Sequence, residues 1–443
     1  MTESNSEQLR STQEKDAQQK NSQQRSSKKK LFACGFISAL VAFGAINVMA
    51  IGSLTERTSG LSKETLSKSS EESSQEGTWS FWVARDYLMR EKAPPVVMFG
   101  SSLIGSATFS ADTQTTKNFR DCVVDRHAAT LERDIKQQLG GRTEVYNASI
   151  PGSMASDAYL MSSALFKPDN KPQLVIIGVN PRDFIDNTVT APADTEPFQF
   201  FSRYVSLGNL AKASFSDPFA YLDWTFHQYI PLKRMNAKLA EIASQISRIG
   251  QKPGEHPRTL VSHLNVKRSV MQVFLGGGKD IRKGEWLIPY PMPYGFQDNM
   301  PEYLNRYKNP KTALFPREKK FFNAFLAKLK DENIKVLVVN MPATYPNRSI
   351  LPDTFWHDFK TYLSSTCTNY GADYIDLSDD FRFIITDYLD TVHLNASGGT
   401  RLFKIIAAKI SSSPQLSAAA LPQQVPAELR TNVQTSAVDN HWK

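Results

Sequence analysis

The sequence predicts an α/β chain built on a doubly wound, mainly parallel sheet of five strands, with a large helical insertion and an N-terminal transmembrane helix. Three observations lead there: five short runs rich in Val and Ile bounded by turn residues, helical stretches that alternate with them, and an uncharged apolar segment from Leu31 to Leu54. Short continuous apolar runs suit parallel strands covered on both faces. Strands alternating with helices give a sheet whose ligand crevice lies beyond the carboxyl ends of its strands. At 443 residues and 41% hydrophobic composition, the chain can fill one sizeable core.

Taken in order, residues 1–30 are rich in Gln, Ser, Lys and Glu and read as a disordered cytoplasmic tail. Residues 31–54 can cross a hydrocarbon core of about 30 Å as a helix. Lys28, Lys29 and Lys30 directly before them favour a cytoplasmic N-terminus and place the rest of the chain on the far side. A cleaved signal sequence stays open as an alternative, because Val48 and Ala50 offer small residues for a cleavage site. Residues 55–78 read as a polar stalk, and the folded domain is expected over 79–410.

Within that domain the expected strands are Val96 to Phe99, Glu144 to Ala148, Leu174 to Val179, Lys335 to Asn340 and Asp373 to Leu377. A helix is expected over Val123 to Leu139, stopped by Gly140 and Gly141, and a closing amphipathic helix over Gly398 to Ile410. Residues 185–315 interrupt the rhythm with helical stretches at Pro218 to Ile230 and Leu232 to Ile249 and a Gly- and Pro-rich section from Gly276 to Pro301. Such an insertion either shapes substrate access or simply packs as a helical cap. Residues 411–443 read as a disordered tail.

The formal charge of +8 raises the question of nucleic acid, but no basic run carries interleaved aromatics and no nucleic-acid motif is present. The excess is assigned to the membrane-flanking cluster and a solvated surface, and no nucleic-acid partner is expected. Cys34, Cys122 and Cys367 lack the spacing of a zinc or redox site, so neither metal nor cofactor is expected. Cys122 and Cys367 form the only pair that could bridge outside a membrane.

Four places after strands carry candidate chemistry. The first strand ends in VVMFGSSLIGS, where Gly100 permits a tight turn and Ser101 and Ser102 follow at the carboxyl edge, as a nucleophile or as a helix cap. The second ends in YNASIPGS, whose Gly152 can bring a backbone N–H to an oxyanion or simply make a turn. The third ends in Asn180, whose amide can donate to the same oxyanion or satisfy the turn. After the fifth, DYLDTVHLN sets Asp390 three residues before His393, a spacing that serves a base with its orienting carboxylate or a cap with a surface histidine. Arg182 could meet an anionic substrate or pair with Asp183 or Asp186, and Asn340 could line the crevice or pack. His357 reads as a packed or surface histidine on an amphipathic helix.

The ordered set Ser, Gly, Asn and Asp-x-x-His after strands one, two, three and five resembles the SGNH/GDSL-hydrolase superfamily, over roughly Val96 to Ile410. The resemblance implies an SGNH-hydrolase-like sheet with Ser102 as nucleophile and Asp390 and His393 as its triad partners. It also implies an oxyanion hole made by the N–H of Ser102, Gly152 and Asn180. Two departures stand out. The family's commonest Gly-Asp-Ser-Leu is here Gly100, Ser101, Ser102 and Leu103, which leaves Ser101 as a rival or substrate-side residue, and Pro181 follows Asn180 where the family usually has Asp. With its N-terminal anchor, the chain is similar to membrane-anchored cell-envelope O-acyltransferase-like proteins of the teichoic-acid D-alanylation and alginate acetylation type. That similarity implies an extracytoplasmic serine enzyme acting on ester-linked acyl groups of an envelope or extracellular polysaccharide. Its partners would be the membrane, the polymer and an acyl donor, with room for a membrane acyltransferase. A non-catalytic envelope-assembly or polysaccharide-binding protein of the same fold is the alternative.

Overall fold

A computed structural model describes residues 61–63, 66, 76–229, 281–282, 287–290 and 295–421. The expected tail 1–30, the membrane segment 31–54, the helix Leu232 to Ile249 and half of Gly276 to Pro301 lie outside the described residues. Among the described residues no helix is long and apolar enough to cross a membrane. The chain divides into two compact units. Ser59–Tyr221 with Arg258–Lys443 makes one; of the other, Met1–Thr58 with Leu222–Pro257, only residues 222–229 are described.

The first unit is α/β. Its five strands, β1 (Val96–Phe99), β2 (Val145–Asn147), β3 (Leu174–Val179), β4 (Lys335–Asn340) and β5 (Asp373–Asp376), form one all-parallel sheet. Their order is β2-β1-β3-β4-β5, so the winding reverses between β1 and β3. All four residues of β1 and all six of β3 are buried, as apolar runs covered on both faces must be. The edge strand β5 is only half-buried.

Helices cover both faces. On one lie α2 (Ser102–Thr116), α3 (Ala129–Leu139) and α7 (Ala396–Ser412), packed on one another; on the other, α1 (Trp79–Met89) and α5 (Leu314–Asp331) pack on α4 (Ala155–Leu165), and α6 (Asp353–Tyr370) packs on α5. The second face is aromatic. Phe184 meets Phe359 edge-on at 5.3 Å and Phe322 at 5.6 Å, and Phe99 of β1 meets Phe325 of α5 at 5.9 Å. Each such pair adds about 0.5–1.5 kcal/mol beyond its buried area.

Several expectations need correction. The helix expected from Val123 begins at Ala129; Arg120–Asp121 instead pairs with Leu287–Ile288, and Arg126 is buried in the turn that follows. The serines after Gly100 do begin a helix, but the extent of α2 was not expected, because its Ser-, Thr- and Ala-rich sequence is buried from Leu103 to Thr113 apart from Ser106 and shows no polar face. The polar stalk is not free along its whole length: Leu61 and Leu66 are buried, and Glu76–Gly77 pairs with Ile281–Arg282. The tail expected to be disordered from 411 continues instead as a helix, α8 (Pro414–Ala420), capped by the Ser413 hydroxyl and burying Leu416, Ala419 and Ala420. Cys122 and Cys367 are buried free thiols, Cys122 before α3 and Cys367 on α6, so the bridge is absent.

Candidate active site

Parallel order places the site. The carboxyl ends of β1 and β3 lie side by side at the point where the winding reverses, the position at which open α/β sheets bind ligands. Phe99 pairs with Ile177, and the two adjacent strands lead on to Ser102 after the turn at Gly100 and to Asn180 directly after Val179.

Gly100 makes the exit from β1 possible. Its φ is 142°, and a Cβ there would stand 2.7 Å from the Gly178 carbonyl oxygen and 2.7 Å from Ile104. The turn delivers Ser102 as the first residue of α2, where its N–H has no intrahelical partner. Ser101, the N-cap, is buried with its hydroxyl beside the Asp183 carboxylate, whereas Ser102 is half-exposed.

The Ser102 hydroxyl lies 2.9 Å from His393 Nε2, and His393 Nδ1 lies 2.6 Å from Asp390 Oδ2. A carboxylate on Nδ1 fixes the ring proton there, so Nε2 presents a lone pair to the serine hydroxyl. The other Asp390 oxygen accepts the N–H of Val392 at 2.9 Å and of His393 at 2.8 Å. Burial pushes the Asp390 carboxyl up, but the His393 hydrogen bond and charge, with these two N–H groups, outweigh it and hold the carboxyl below its ordinary value.

The loop that carries both residues is pinned from three directions. Leu389 N–H donates to the His393 carbonyl at 2.7 Å, and Tyr388 bridges Leu394. From the loop after β4, Thr344 donates its N–H and hydroxyl to the Thr391 carbonyl at 3.1 and 2.9 Å. From the insertion, Asn299 Oδ1 accepts the N–H and hydroxyl of Thr391, and Gln297 N–H donates to the Leu389 carbonyl.

No family model matches the chain, and no curated protein matches it.

Gly152 has φ of 80°, a value that favours glycine. Its loop is clasped to the turn beneath Ser102, because Ile150 N–H and the Ser153 hydroxyl both donate to the Gly100 carbonyl, at 3.1 and 2.9 Å. Asn180 is fully buried, and its Nδ2 has no hydrogen-bond partner among the described residues.

Two expected substrate contacts are turned elsewhere. Arg182 is buried, pairs with Asp183 and Asp186, and donates to the carbonyls of Gly152 at 3.0 Å and Ser153 at 2.7 Å. Through these two carbonyls it braces the Gly152 loop. Asn340, buried at the end of β4, donates to Asp376 of β5 at 2.9 Å and ties two strand ends together. His357 is exposed on α6, as expected. A cavity lies against the first turns of α7, lined among others by Gln114, Thr386, Leu389 and Lys404. It adjoins the Asp390–His393 loop only through Leu389 and holds none of the Ser–His–Asp chain.

Proposed function

We propose that this chain is a serine acyl-transfer enzyme of the SGNH-hydrolase type, anchored in a membrane by residues 31–54 with its catalytic domain outside the cytoplasm. It acts on ester-linked acyl groups of an envelope or extracellular polysaccharide. The observation that carries the reading is the unbroken hydrogen-bonded chain from Ser102 through His393 to Asp390, set where the sheet reverses its winding. The order of Ser102, Gly152, Asn180, Asp390 and His393 along the sequence supports the fold type; the uncharged segment and its preceding lysines support the anchor.

In this reading Ser102 Oγ attacks the acyl carbonyl while His393 Nε2 takes the hydroxyl proton. The oxyanion that forms is met by the N–H of Ser102 and of Gly152 and by the Asn180 amide, donors of the kind that supply several kcal/mol at the transition state. Collapse breaks the bond to the leaving alcohol, which receives the proton from His393, and leaves an acyl ester on Ser102. An incoming hydroxyl then gives its proton to His393 and attacks that ester, releasing the acyl group and returning the proton to Ser102. With water as acceptor the protein is an esterase; with a carbohydrate hydroxyl it is an O-acyltransferase.

A fluorophosphonate probe tests the reading directly. The full chain should take up one equivalent, and Ser102→Ala and His393→Ala should take up none. Undiminished labelling of Ser102→Ala would remove Ser102 from the role. Mass analysis of an added oligosaccharide, after incubation with an activated acetyl ester, separates transfer from hydrolysis.

A further inference from the structure

The buried Asn180 amide is held from one side only. Its Oδ1 accepts the Arg182 backbone N–H at 3.2 Å and the Tyr307 hydroxyl at 2.8 Å. A backbone N–H can only donate, so the atom facing it is the oxygen, and the amide orientation is settled. Nδ2 is left as a buried donor without a partner among the described residues. Buried donors are almost always paired in folded proteins, and this one sits directly after β3, the strand that pairs with the one leading to Ser102.

We infer that Tyr307 is a positioning residue of the oxyanion hole: its hydroxyl holds Asn180 Oδ1 so that Nδ2 faces the acyl oxygen. Tyr307 is 2% exposed and cannot itself reach a substrate. It comes from the insertion, not from the strand–helix repeat, just after the helix Met300–Arg306, with its N–H on the Tyr303 carbonyl at 2.9 Å and its ring edge-on to Tyr303 at 5.5 Å. Arg306, its neighbour, is tied to Asp186 and Glu302, and the Arg306 carbonyl accepts from Asn187 at 2.7 Å. The tyrosine is therefore fixed independently of the Asn180 bond. Without its hydroxyl, the Asn180 amide keeps one anchor, the 3.2 Å bond from the Arg182 N–H, and Nδ2 is held less firmly toward the developing oxyanion. This cost falls on the transition state, where the negative charge appears, and leaves ground-state binding alone.

The inference rests on the acyl-enzyme reading, and the experiment keeps the two apart. Acylation of the full chain by p-nitrophenyl acetate is followed in the wild type, Tyr307→Phe, Asn180→Ala, the double variant, Tyr303→Phe and Ser102→Ala. Tyr307→Phe should lower kcat roughly 10- to 100-fold with KM within about 2-fold, and Asn180→Ala roughly 100- to 1000-fold. On the Asn180→Ala background the tyrosine substitution should cost less than about 2-fold, because the group it positions is gone. Tyr303→Phe, which keeps the packing and removes a hydroxyl not bonded to Asn180, should behave as wild type. Tyr307→Met, apolar and without a hydroxyl, serves as a second variant, and thermal melts report which proteins are folded. A folded Tyr307 variant at full acylation rate, or one that loses the same factor with and without Asn180, overturns the inference alone. Turnover by Ser102→Ala overturns the acyl-enzyme reading and the inference with it.

Discussion

At the scale of single residues, the identity of the atom facing His393 Nδ1 decides whether Nε2 can accept a proton. Asp390 offers only acceptors, so the ring proton stays on Nδ1. Asp390→Asn keeps the size and can still accept the N–H groups of Val392 and His393, but its amide can donate to Nδ1 and force the proton to Nε2, facing Ser102. The expected result is a fall in kcat of roughly 10³- to 10⁴-fold with little change in KM, read from steady-state hydrolysis of an activated ester. Ser101 poses the complementary test. Its burial beside Asp183 predicts that Ser101→Ala keeps fluorophosphonate labelling. The sequence could rank Ser102 over Ser101 only by alignment to a family pattern, because two adjacent serines differ in where the turn points them. That direction depends on the φ of Gly100 and on the closeness of the Gly178 carbonyl, which no local pattern encodes.

At the scale of elements, legibility tracked periodicity. The strands were readable to within a residue because Val96 to Phe99, Leu174 to Val179 and Val336 to Val339 are unbroken apolar runs between turn residues. The length of helix α2 was not, since a helix buried nearly all round has no stripe. Helix α8 was missed because it offers only Leu416, Ala419 and Ala420 as an apolar face, too little to stand out in a Pro-, Gln- and Ala-rich tail. Burying those side chains against α7 and near β3 and β4 contributes to stability, so deleting residues from Ser413 onward should lower the urea midpoint of the full chain. Unchanged melting would mean that α8 adds nothing. The pairing of Arg182 with Asp183 and Asp186 was legible because these partners are near in sequence, but its brace on the Gly152 loop was not, because Gly152 and Ser153 are brought to it by the fold. Arg182→Met leaves Asp183 and Asp186 buried with less compensation and frees the Gly152 loop. It should cost on the order of 3–5 kcal/mol in chemical denaturation.

At the scale of the molecule, buried carboxylates behind the site set how stability varies with pH. Glu318 of α5 and Asp157 of α4 are fully buried. Glu318 accepts the N–H and hydroxyl of Ser156, at 2.7 and 3.1 Å, and Asp157 accepts the Met154 N–H and the Thr195 hydroxyl, each at 2.7 Å. Together they fasten the start of α4, just after Gly152, to α5 and the insertion. Burial pushes the Asp157 carboxyl up to about 7 and the Glu318 carboxyl well above its ordinary value, the latter helped by the charge of Asp157. Burial also lifts Asp183 to about 6 against the pull of Arg182. Groups raised in this way keep a proton in the folded chain that the unfolded chain has already lost at ordinary carboxylate values. Across the window from there to about 7 the folded state binds more protons, so stability falls as pH rises. Asp390 and Asp186, both held below the ordinary value, act in the opposite sense at the acid end: their stabilisation is lost as pH falls through their folded values. Urea midpoints of the full chain should therefore be higher at pH 5 than at pH 8. Asp157→Asn can accept one of the two hydrogen bonds but carries no charge to bury, and it relieves the like charge on Glu318. It should flatten the decline between pH 5 and pH 8, and an undiminished decline in that variant would place the source of the pH dependence elsewhere in the fold.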